Sequence, residues 1–500
     1  METLKLKNIL NKEPFGYLLP DARPGIISDG SEHEVNNFTA PFQEISQIDF
    51  IREYDPRSHK IWDTNWFEDE KKQDPLSKLW YIYPVERCAL PFQHIITVKH
   101  LTHLCGNNIE FKDSNQIPTE ENKTTLVEFQ QGWLNKNMEV AWYDSAKSVK
   151  ITGDCAFCGY LYNGEFGHRV FSFLNGDILY PHYNYVTGKL DLFGREYSQY
   201  DEKGKQKLRI LEVWDDKNLY RFKRDTTGVK RVVSKLVGWL GLGDGWDLIS
   251  TNAHNFPFIP ISYKRAKYGA CWEFVQDLID QYEKDFSRYL QMNKSNANPI
   301  IVITGDDIEV KGDPKRPITS ITVGVNGSAD RLSGGNVSTS FETQLKINRE
   351  CIFMGAFTVL PPEERSGDQS GISIKIKYSP AIEQAMADAN EFNEFIDDVV
   401  KIFKCGFSVE VGKVVEYNNL KVSGEIIPFI HQNEAELMTN LLNGVTGGFL
   451  SKESAAEQSP YKKNDEFRRL KEQIKSALGA DIKKIDYTNE NKKTEVTQTE

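Results

Sequence analysis

Residues 338–406 decide how the chain is read. They run STSFETQLKINRECIFMG (338–355), AFTVLPPEERSGDQSG (356–371), ISIKIKYS (372–379) and PAIEQAMADANEFNEFIDDVVKIFKCG (380–406). The pattern is helix, loop, helix. In the first piece Phe341, Leu345, Ile352 and Ala356 share one face, and Lys346, Arg349 and Glu350 are placed for solvent. Thr339 and Glu342 have the T-x-x-E spacing of a capping box, in which each side chain satisfies an unpaired N–H. The loop 357–372 cannot be helical through Pro361 and Pro362, with glycines at 367 and 371. It exposes Glu363, Glu364, Arg365 and Asp368. From Pro380 a second helix is expected to reach Cys405, with Gly406 as its stop. Ile382, Ala389, Ile396 and Phe403 recur every seven residues, as do Ala385, Phe392 and Val399. Glu383, Asp388, Glu391, Glu394, Asp397 and Asp398 read as a solvated acidic face, with Lys401 and Lys404 only at the C-terminal end, where the helix dipole favours them.

Working outward, the preceding stretch 299–337 is a small β insert: PIIVITG, DDIEVKG, a DPKRP turn bearing Lys311, Lys315 and Arg316 around it, then ITSITVGVNG, closed by SADRLSGGN as a flexible loop. So short an insert buries little alone and should lean on something. Before it a long helix is expected from near Tyr268. Tyr268, Trp272, Val275, Ile279, Tyr282, Phe286 and Tyr289 alternate steps of four and three, a seam about 36 Å long. Such a seam either fills the chain's own core or packs on a copy of itself. The other side carries Asp277, Asp280, Glu283, Lys284, Asp285 and Arg288.

Residues 66–268 read as mixed α/β. KLWYIYPVERCALPFQHIITVKHLTHLCG suggests a strand or helix pair burying Trp80, Tyr81 and Tyr83. Leu126, Phe129, Trp133 and Leu134 fall at helical spacing. Antiparallel strands follow, with hairpin signals at Asn163-Gly164 and Asn175-Gly176 and a turn near Glu202–Gly204. Residues 1–65, with Pro14, Pro20, Pro24 and Pro41, read either as an extended arm with short helices, of the kind that lies on a neighbouring subunit, or as an irregular peripheral segment of the same chain. Residues 407–432 return to strand, 433–482 are helical in three pieces, and 483–500 are polar and expected to be disordered.

The bulk properties exclude several functions. The net charge of −11, from 61 basic and 72 acidic residues, is wrong for a protein that grips nucleic acid by its phosphates, though not for a surface past which DNA slides. No apolar run reaches the length of a membrane span, and METLKLKNILNKEPFG is not a signal peptide. The seven cysteines are scattered, which favours reduced thiols made in a cytoplasm. Cys155-Ala-Phe-Cys158 lacks the second pair of a structural zinc site, and on a strand its thiols point to opposite faces. GLGDGWD (241–247) lacks the Lys-Ser/Thr of a phosphate loop and reads as a turn. No H-E-x-x-H or G-x-S-x-G pattern occurs. No enzyme, cofactor or metal is expected.

Taken co-linearly, three stretches resemble the portal proteins of tailed bacteriophages. FPFIPISYKRAKYGACWEFVQDLIDQYEKDFSRYLQ looks like that family's entry to the stem helix. SGDQSGISIKIKYSPAIEQAMADANEFNEFIDD looks like its tunnel loop and channel helix. NLLNGVTGGFLSKESAAEQSPYKKNDEFRRLKEQI is similar to its crown, where Gly448-Phe449-Leu450-Ser451 leads into a helix. The resemblance spans roughly 255–475; the region before 150 and the tail match weakly. It implies an α+β subunit with a β-rich wing (66–268 and 407–432), stem helices (269–298 and 338–356), a clip (299–337), a tunnel loop (357–372), a long channel helix (373–406) and a crown (433–482). It implies a dodecameric ring at one capsid vertex, in the virion, passing double-stranded DNA without sequence preference. The packaging terminase, head–tail adaptors and the major capsid protein are then partners, and a membrane is not. Pro361, Pro362, Glu363, Glu364, Arg365, Asp368 and Gln369 would constrict the channel, Lys346, Arg349 and Glu350 would line its stem wall, and Lys311, Lys315 and Arg316 would dock partners. The competing readings are another ring-forming head–tail adaptor and, more remotely, an intracellular metalloenzyme built on Cys155 and Cys158.

Overall fold

The computed structural model describes residues 17–18, 44–45, 47–73, 79–114, 119–184, 186–200, 206–225, 246–297, 300–304, 308–311, 320–323, 327–332, 338–359, 371–430, 434–459 and 469–474. The chain divides into two compact units, Met1–Pro361 with Pro380–Phe429, and Pro362–Ser379 with Ile430–Glu500.

The first unit is built around the aromatic stripe of the long helix. Phe392, Ile396, Val399 and Phe403 pack against Phe129 and Trp133 of helix Glu120–Asn135, Trp142 of helix Met138–Thr152, and Phe157 of strand Asp154–Tyr162. Burial of such stripes is the main force holding helices on a sheet. The β region is two antiparallel sheets. One has five strands, Ile178–Tyr183, Leu190–Tyr200, Gln206–Trp214, Asn218–Asp225 and Asp247–Ala253, paired in sequence order. The other places Asp154–Tyr162 between Glu165–Phe171 and Ile261–Arg265. Phe171, Leu179, Phe193, Trp214 and Ile261 form a core drawn from both. Asn163 and Gly164 both have positive φ, 52° and 84°, as the expected tight hairpin turn requires. Asn175-Gly176 does not make a hairpin: Phe173–Asn175 is a 3-10 turn ended by left-handed Gly176, joining strands of different sheets. The turn near Glu202–Gly204 lies outside the described residues, but the strands flanking it pair antiparallel.

Of the two readings of residues 1–65, the C-terminal part follows the second, a segment of the same chain. Helix Gln47–Tyr54 and the 3-10 turns Pro56–Ser58 and Lys60–Trp62 are packed into the unit, with Phe50 and Ile61 fully buried. Spacing did not reveal this, because these short elements bury single residues rather than a stripe. Trp80 is exposed, not buried: strands Glu70–Gln73 and Trp80–Tyr83 form a two-stranded ribbon of their own. Phe129 and Trp133 are buried as expected, but Leu134 is exposed.

Three further expectations are corrected. The long helix runs Gly371–Glu410, through Pro380, so it begins before the predicted start and Gly406 does not end it. Gly406 instead lets Phe166 approach, since a Cβ there would lie 2.2 Å from the Phe166 ring. The true stop is Gly412, at φ 69°. There Lys413 N–H donates to Ser408 O at 3.1 Å and Gly412 N–H to Val409 O at 3.3 Å, a Schellman closure. Residues 407–432 are not strand-rich. They contain the end of this helix, helix Val414–Asn419 and one short strand, Val422–Glu425, paired with Glu110–Asp113. The β-branched run Val409, Val411, Val414, Val415 mimics a strand, but its Phe407 and Tyr417 are fixed by the aromatic core. In the second unit, helices Glu434–Thr446 and Lys452–Gln458 appear as expected, the second N-capped by Ser451, whose hydroxyl accepts from Ser454 N–H at 3.0 Å.

Candidate functional site

The candidate site is an antiparallel hairpin of helices Gln276–Ala297 and Ser338–Gly355 with a β excursion between them. The seam on the first helix packs within the chain. Trp272, Val275, Ile279 and Tyr282 join Leu345, Ile352, Phe353 and Ala356 of the second helix and Phe50, Phe92 and Ile96 in one core. Tyr268, the first member, is exposed. The helix itself starts at Gln276, after a 3-10 turn Glu273–Val275. At the far end Tyr289 lies 6.3 Å from the Phe341 ring and its hydroxyl donates to Glu342 at 2.9 Å. Gln344 donates to Asp285 at 3.0 Å. Thr339 lies inside the first turn rather than ahead of it, so it does not cap, and Glu342 serves the partner helix instead.

The polar side of the first helix is not a solvated face. Asp280, Glu283 and Asp285 are buried. Glu283 Oε1 sits 2.7 Å from His59 Nδ1 and accepts Leu90 N–H at 2.7 Å, while His59 Nε2 lies 2.7 Å from Glu53 O. Both imidazole nitrogens thus face oxygen acceptors, the arrangement of an imidazolium. Burial pushes the His59 pKa down, but the hydrogen bond and charge of Glu283, with Glu53 O and Asp280, outweigh it and raise the pKa overall. Asp280 takes Lys60 at 2.7 Å and Gln276 at 2.7 Å. Glu53 accepts the Trp272 indole N–H at 3.0 Å, yet burial pushes its carboxyl up to about 7. Glu273 is pushed up to about 8 by burial and then by the neighbouring Glu53 and Asp277 carboxylates. Burying charge is tolerated only when it is paired and hydrogen-bonded, and this network does that pairing. His59 and Glu283 are 224 positions apart, so no spacing signal links them.

The β excursion is two antiparallel pairs, Ile300–Thr304 with Ser328–Leu332 and Ile308–Lys311 with Ser320–Val323. Ser328–Leu332 was expected to be loop. Its pairing with the Ile300–Thr304 backbone overrides a sequence with little β propensity. The backbone of Lys311 stands opposite Ser320, and Lys315 and Arg316 lie outside the described residues. On the second helix Lys346 and Glu350 are exposed, whereas Arg349 is half-buried, close enough to affect the Tyr282 hydroxyl. Pro361, Pro362, Glu363, Glu364, Arg365, Asp368 and Gln369 lie outside the described residues.

The N-terminal approach to that loop is anchored. Ala356 O pairs with His100 Nε2 at 2.7 Å, and Phe357 adopts φ 51°. On the long helix Asp388 is buried, not solvated, and pairs with Lys150 at 2.6 Å. Burial, then Lys150, push His100 down to about 4, so it is the neutral tautomer that donates to Ala356 O. The exposed acids of the long helix are Glu383, Glu391, Glu394, Asp397 and Asp398.

Cys155 and Cys158 belong to two different cores, and burial pushes both thiols up, Cys158 to about 12. Such thiols are neutral and face apart, a poor start for a metal site. Among the described residues no three His, Cys, Asp or Glu side chains could hold a metal ion, and no helix is long and apolar enough to cross a membrane.

A helical hairpin clamped to an α/β body, carrying a β excursion and followed by a long helix, makes this a mixed α+β subunit. The family model described as "Phage portal protein, SPP1 Gp6-like" matches residues 47–480. The chain belongs to this family of phage portal proteins, structural components of the virion that assemble as rings at the head–tail junction. One similar solved structure is described as "Neck of empty GTA particle computed with C6 symmetry", with TM-score 0.36 and 8% identity over 73% of this chain and 88% of that one. Comparison with the curated proteins finds no match.

Proposed function

We propose that this portal chain forms a dodecameric ring whose channel passes double-stranded DNA during packaging and ejection. The observation that carries the reading is the helix–β excursion–helix hairpin with its buried clamp, in a chain matched to the portal family over residues 47–480. In this reading the hairpin is the stem, 299–337 the clip that meets the packaging terminase and later the head–tail adaptor, and 357–372 the tunnel loop. Residues 433–482 are the crown, and the two-sheet region is the wing against the major capsid protein. A conduit must hold a duplex without trapping it. Attraction to DNA scales with the phosphates neutralised, so exposed carboxylates with a few cations suit a sliding surface. Glu363, Glu364, Arg365, Asp368 and Gln369, beside Pro361 and Pro362, narrow the channel, and Lys346, Arg349 and Glu350 border it along the stem. Lys311, Lys315 and Arg316 meet an acidic partner surface.

Particle images of the purified full chain test the assembly: closed rings with a duplex-wide hole are expected. Glu363→Lys with Glu364→Lys should slow packaging or stall ejection, and undiminished packaging of full-length genomes refutes that role. Charge reversal at Lys311, Lys315 and Arg316 should weaken terminase and adaptor binding, and intact binding of both removes the clip assignment.

A further inference from the structure

We propose that the ribbon Glu70–Gln73/Trp80–Tyr83 is an assembly hook that seats in a groove along helix Ser338–Gly355 of a neighbouring copy of this chain. The proposal rests on the ring reading and adds which surfaces meet.

The ribbon is anomalous in the isolated subunit. Among the described residues its strands form a sheet with no third strand, with Glu70 opposite Tyr83 and Gln73 opposite Trp80. Trp80 and Ile82, two residues apart and so on one face, are 68% and 69% exposed, and the adjoining Leu79 is 60% exposed. A lone two-stranded ribbon is marginal in water, and it persists when an apolar face is covered. Its root is firmly held. Val85 N–H donates to Asp69 at 3.1 Å, and Arg87 bridges Asp69 at 2.9 Å and Phe67 O at 2.7 Å. Lys284 stands over the Trp66 ring at 4.8 Å, Glu86 N–H reaches Gln291 at 3.4 Å, and Lys294 pairs with Glu86. The ribbon is therefore mounted on residues 284–294 of the first stem helix.

The receiving surface lies at the same height on the other helix. Thr339, Ser340, Thr343, Gln344, Ile347 and Asn348 line a shallow groove of about 430 Å³, with Ile347 half-exposed in it. The Gln344–Asp285 and Tyr289–Glu342 hydrogen bonds place this groove level with the ribbon's root. A cyclic ring is closed by heterologous contacts, in which one surface of each subunit meets a different surface of the next. Where the hairpin is arrayed around the axis, those surfaces must lie at one height. A hook with an apolar face, rooted on the first helix, and a groove carrying Ile347 on the second, level with that root in the same chain, meet that requirement, which selects a second copy as the occupant. Charge agrees: exposed Lys71 stands opposite Ile82 on the ribbon, and exposed Glu342 adjoins groove-lining Thr343.

The test is a cysteine pair in the full-length chain, Trp80→Cys with Thr343→Cys, oxidised and run on a denaturing, non-reducing gel. A ladder of covalent multimers rising to the ring is expected, with each single variant staying at the subunit mass. In parallel, Trp80→Ser with Ile82→Ser should lower the ring fraction in native mass spectrometry at least tenfold, with the circular dichroism of the subunit unchanged. Rings that persist undiminished in the double serine variant, with no ladder from the cysteine pair, overturn the hook and leave the ring standing. A ladder that stops at the dimer also overturns it, because that marks a two-fold pair. Wild-type protein that shows no ring in particle images defeats the ring reading itself, and the hook falls with it.

Discussion

Replacing Glu283 probes the clamp that joins residues 47–62 to helix Gln276–Ala297. Its carboxylate holds buried His59 at 2.7 Å and Leu90 N–H at 2.7 Å. Glu283→Ala strands a buried cation and a buried donor together. Removing one partner of a buried pair costs about 3–5 kcal/mol, and that is the expected loss. Glu283→Gln keeps the shape and one acceptor but not the charge, and should cost about 1.5–3 kcal/mol, the range for hydrogen bonds to charged groups. The two variants are compared with wild type by urea unfolding followed by circular dichroism. The pH dependence is sharper than the magnitude. The folded pKa of His59 is raised, so its contribution is complete below the unfolded value of about 6.5 and is lost as pH rises through the folded value. Without the Glu283 hydrogen bond and charge the folded value moves down, because burial opposes the imidazolium, so the variant keeps less of that acid-side contribution. The penalty of Glu283→Gln should therefore be greatest at mildly acid pH and shrink towards alkaline pH. A penalty that is flat across this range refutes the imidazolium–carboxylate pair.

Three further outcomes follow from the same packing. Glu273→Gln should stabilise the chain by about 1–2 kcal/mol at alkaline pH, after discounting for partial solvation. With a folded value near 8 against 4.5, the native state holds the extra proton between those values. Wild-type stability therefore falls as pH rises through that window, and the gain should vanish near its acid end in melting curves. Gly406→Ala places a Cβ 2.2 Å from the Phe166 ring, and overpacking of about 1–3 kcal/mol should appear as a lower melting temperature; an unchanged melt contradicts the close approach. Asp388→Ala leaves buried Lys150 unpaired and should cost about 3–5 kcal/mol, much of it recovered in Lys150→Met with Asp388→Leu; equal stability of the single and double variants rejects the pair.

Periodicity made the two helices of the hairpin, the long helix and Asn163-Gly164 legible. In each, a stripe or turn is written locally, as with Ile279, Tyr282, Leu345, Ile352, Phe392 and Phe403, all buried or nearly so. What the sequence hid is what distant partners decide. Gly406 reads as a helix stop until Phe166 is seen against it, and Pro380 reads as a start although the helix passes through it. Ser328–Leu332 has the composition of a loop, and pairing with Ile300–Thr304 makes it a strand. Trp80 reads as core because aromatic residues usually are, yet on its two-stranded ribbon it is exposed. Of the candidate site, the hairpin was foreseen. The clamp of Glu53, His59 and Lys60 was not, since a charge on a helix looks solvated until a partner from elsewhere in the chain is known.

That clamp bears on where a channel's charge can come from. Helix Gln276–Ala297 carries many carboxylates, but Asp280, Glu283 and Asp285 are buried and bonded to Lys60, Gln276, His59, Leu90, Gln281 and Gln344. They cannot repel a passing duplex, because their field is spent on partners inside the subunit. On the second helix Arg349 is half-buried, which leaves Lys346 and Glu350 as the exposed charges of the original stem set. The dense exposed acidity lies on the long helix, at Glu383, Glu391, Glu394, Asp397 and Asp398. If the chain acts as a DNA conduit, weak adhesion along the stem depends on few charges, and the repulsive belt depends on the long helix. Neutralising Glu391 and Glu394 should then alter DNA transit more than neutralising Asp280 or Glu283, whose loss shows first in stability. Transit assays on folded, ring-forming variants separate the two, and equal transit defects with equal stability would overturn the division.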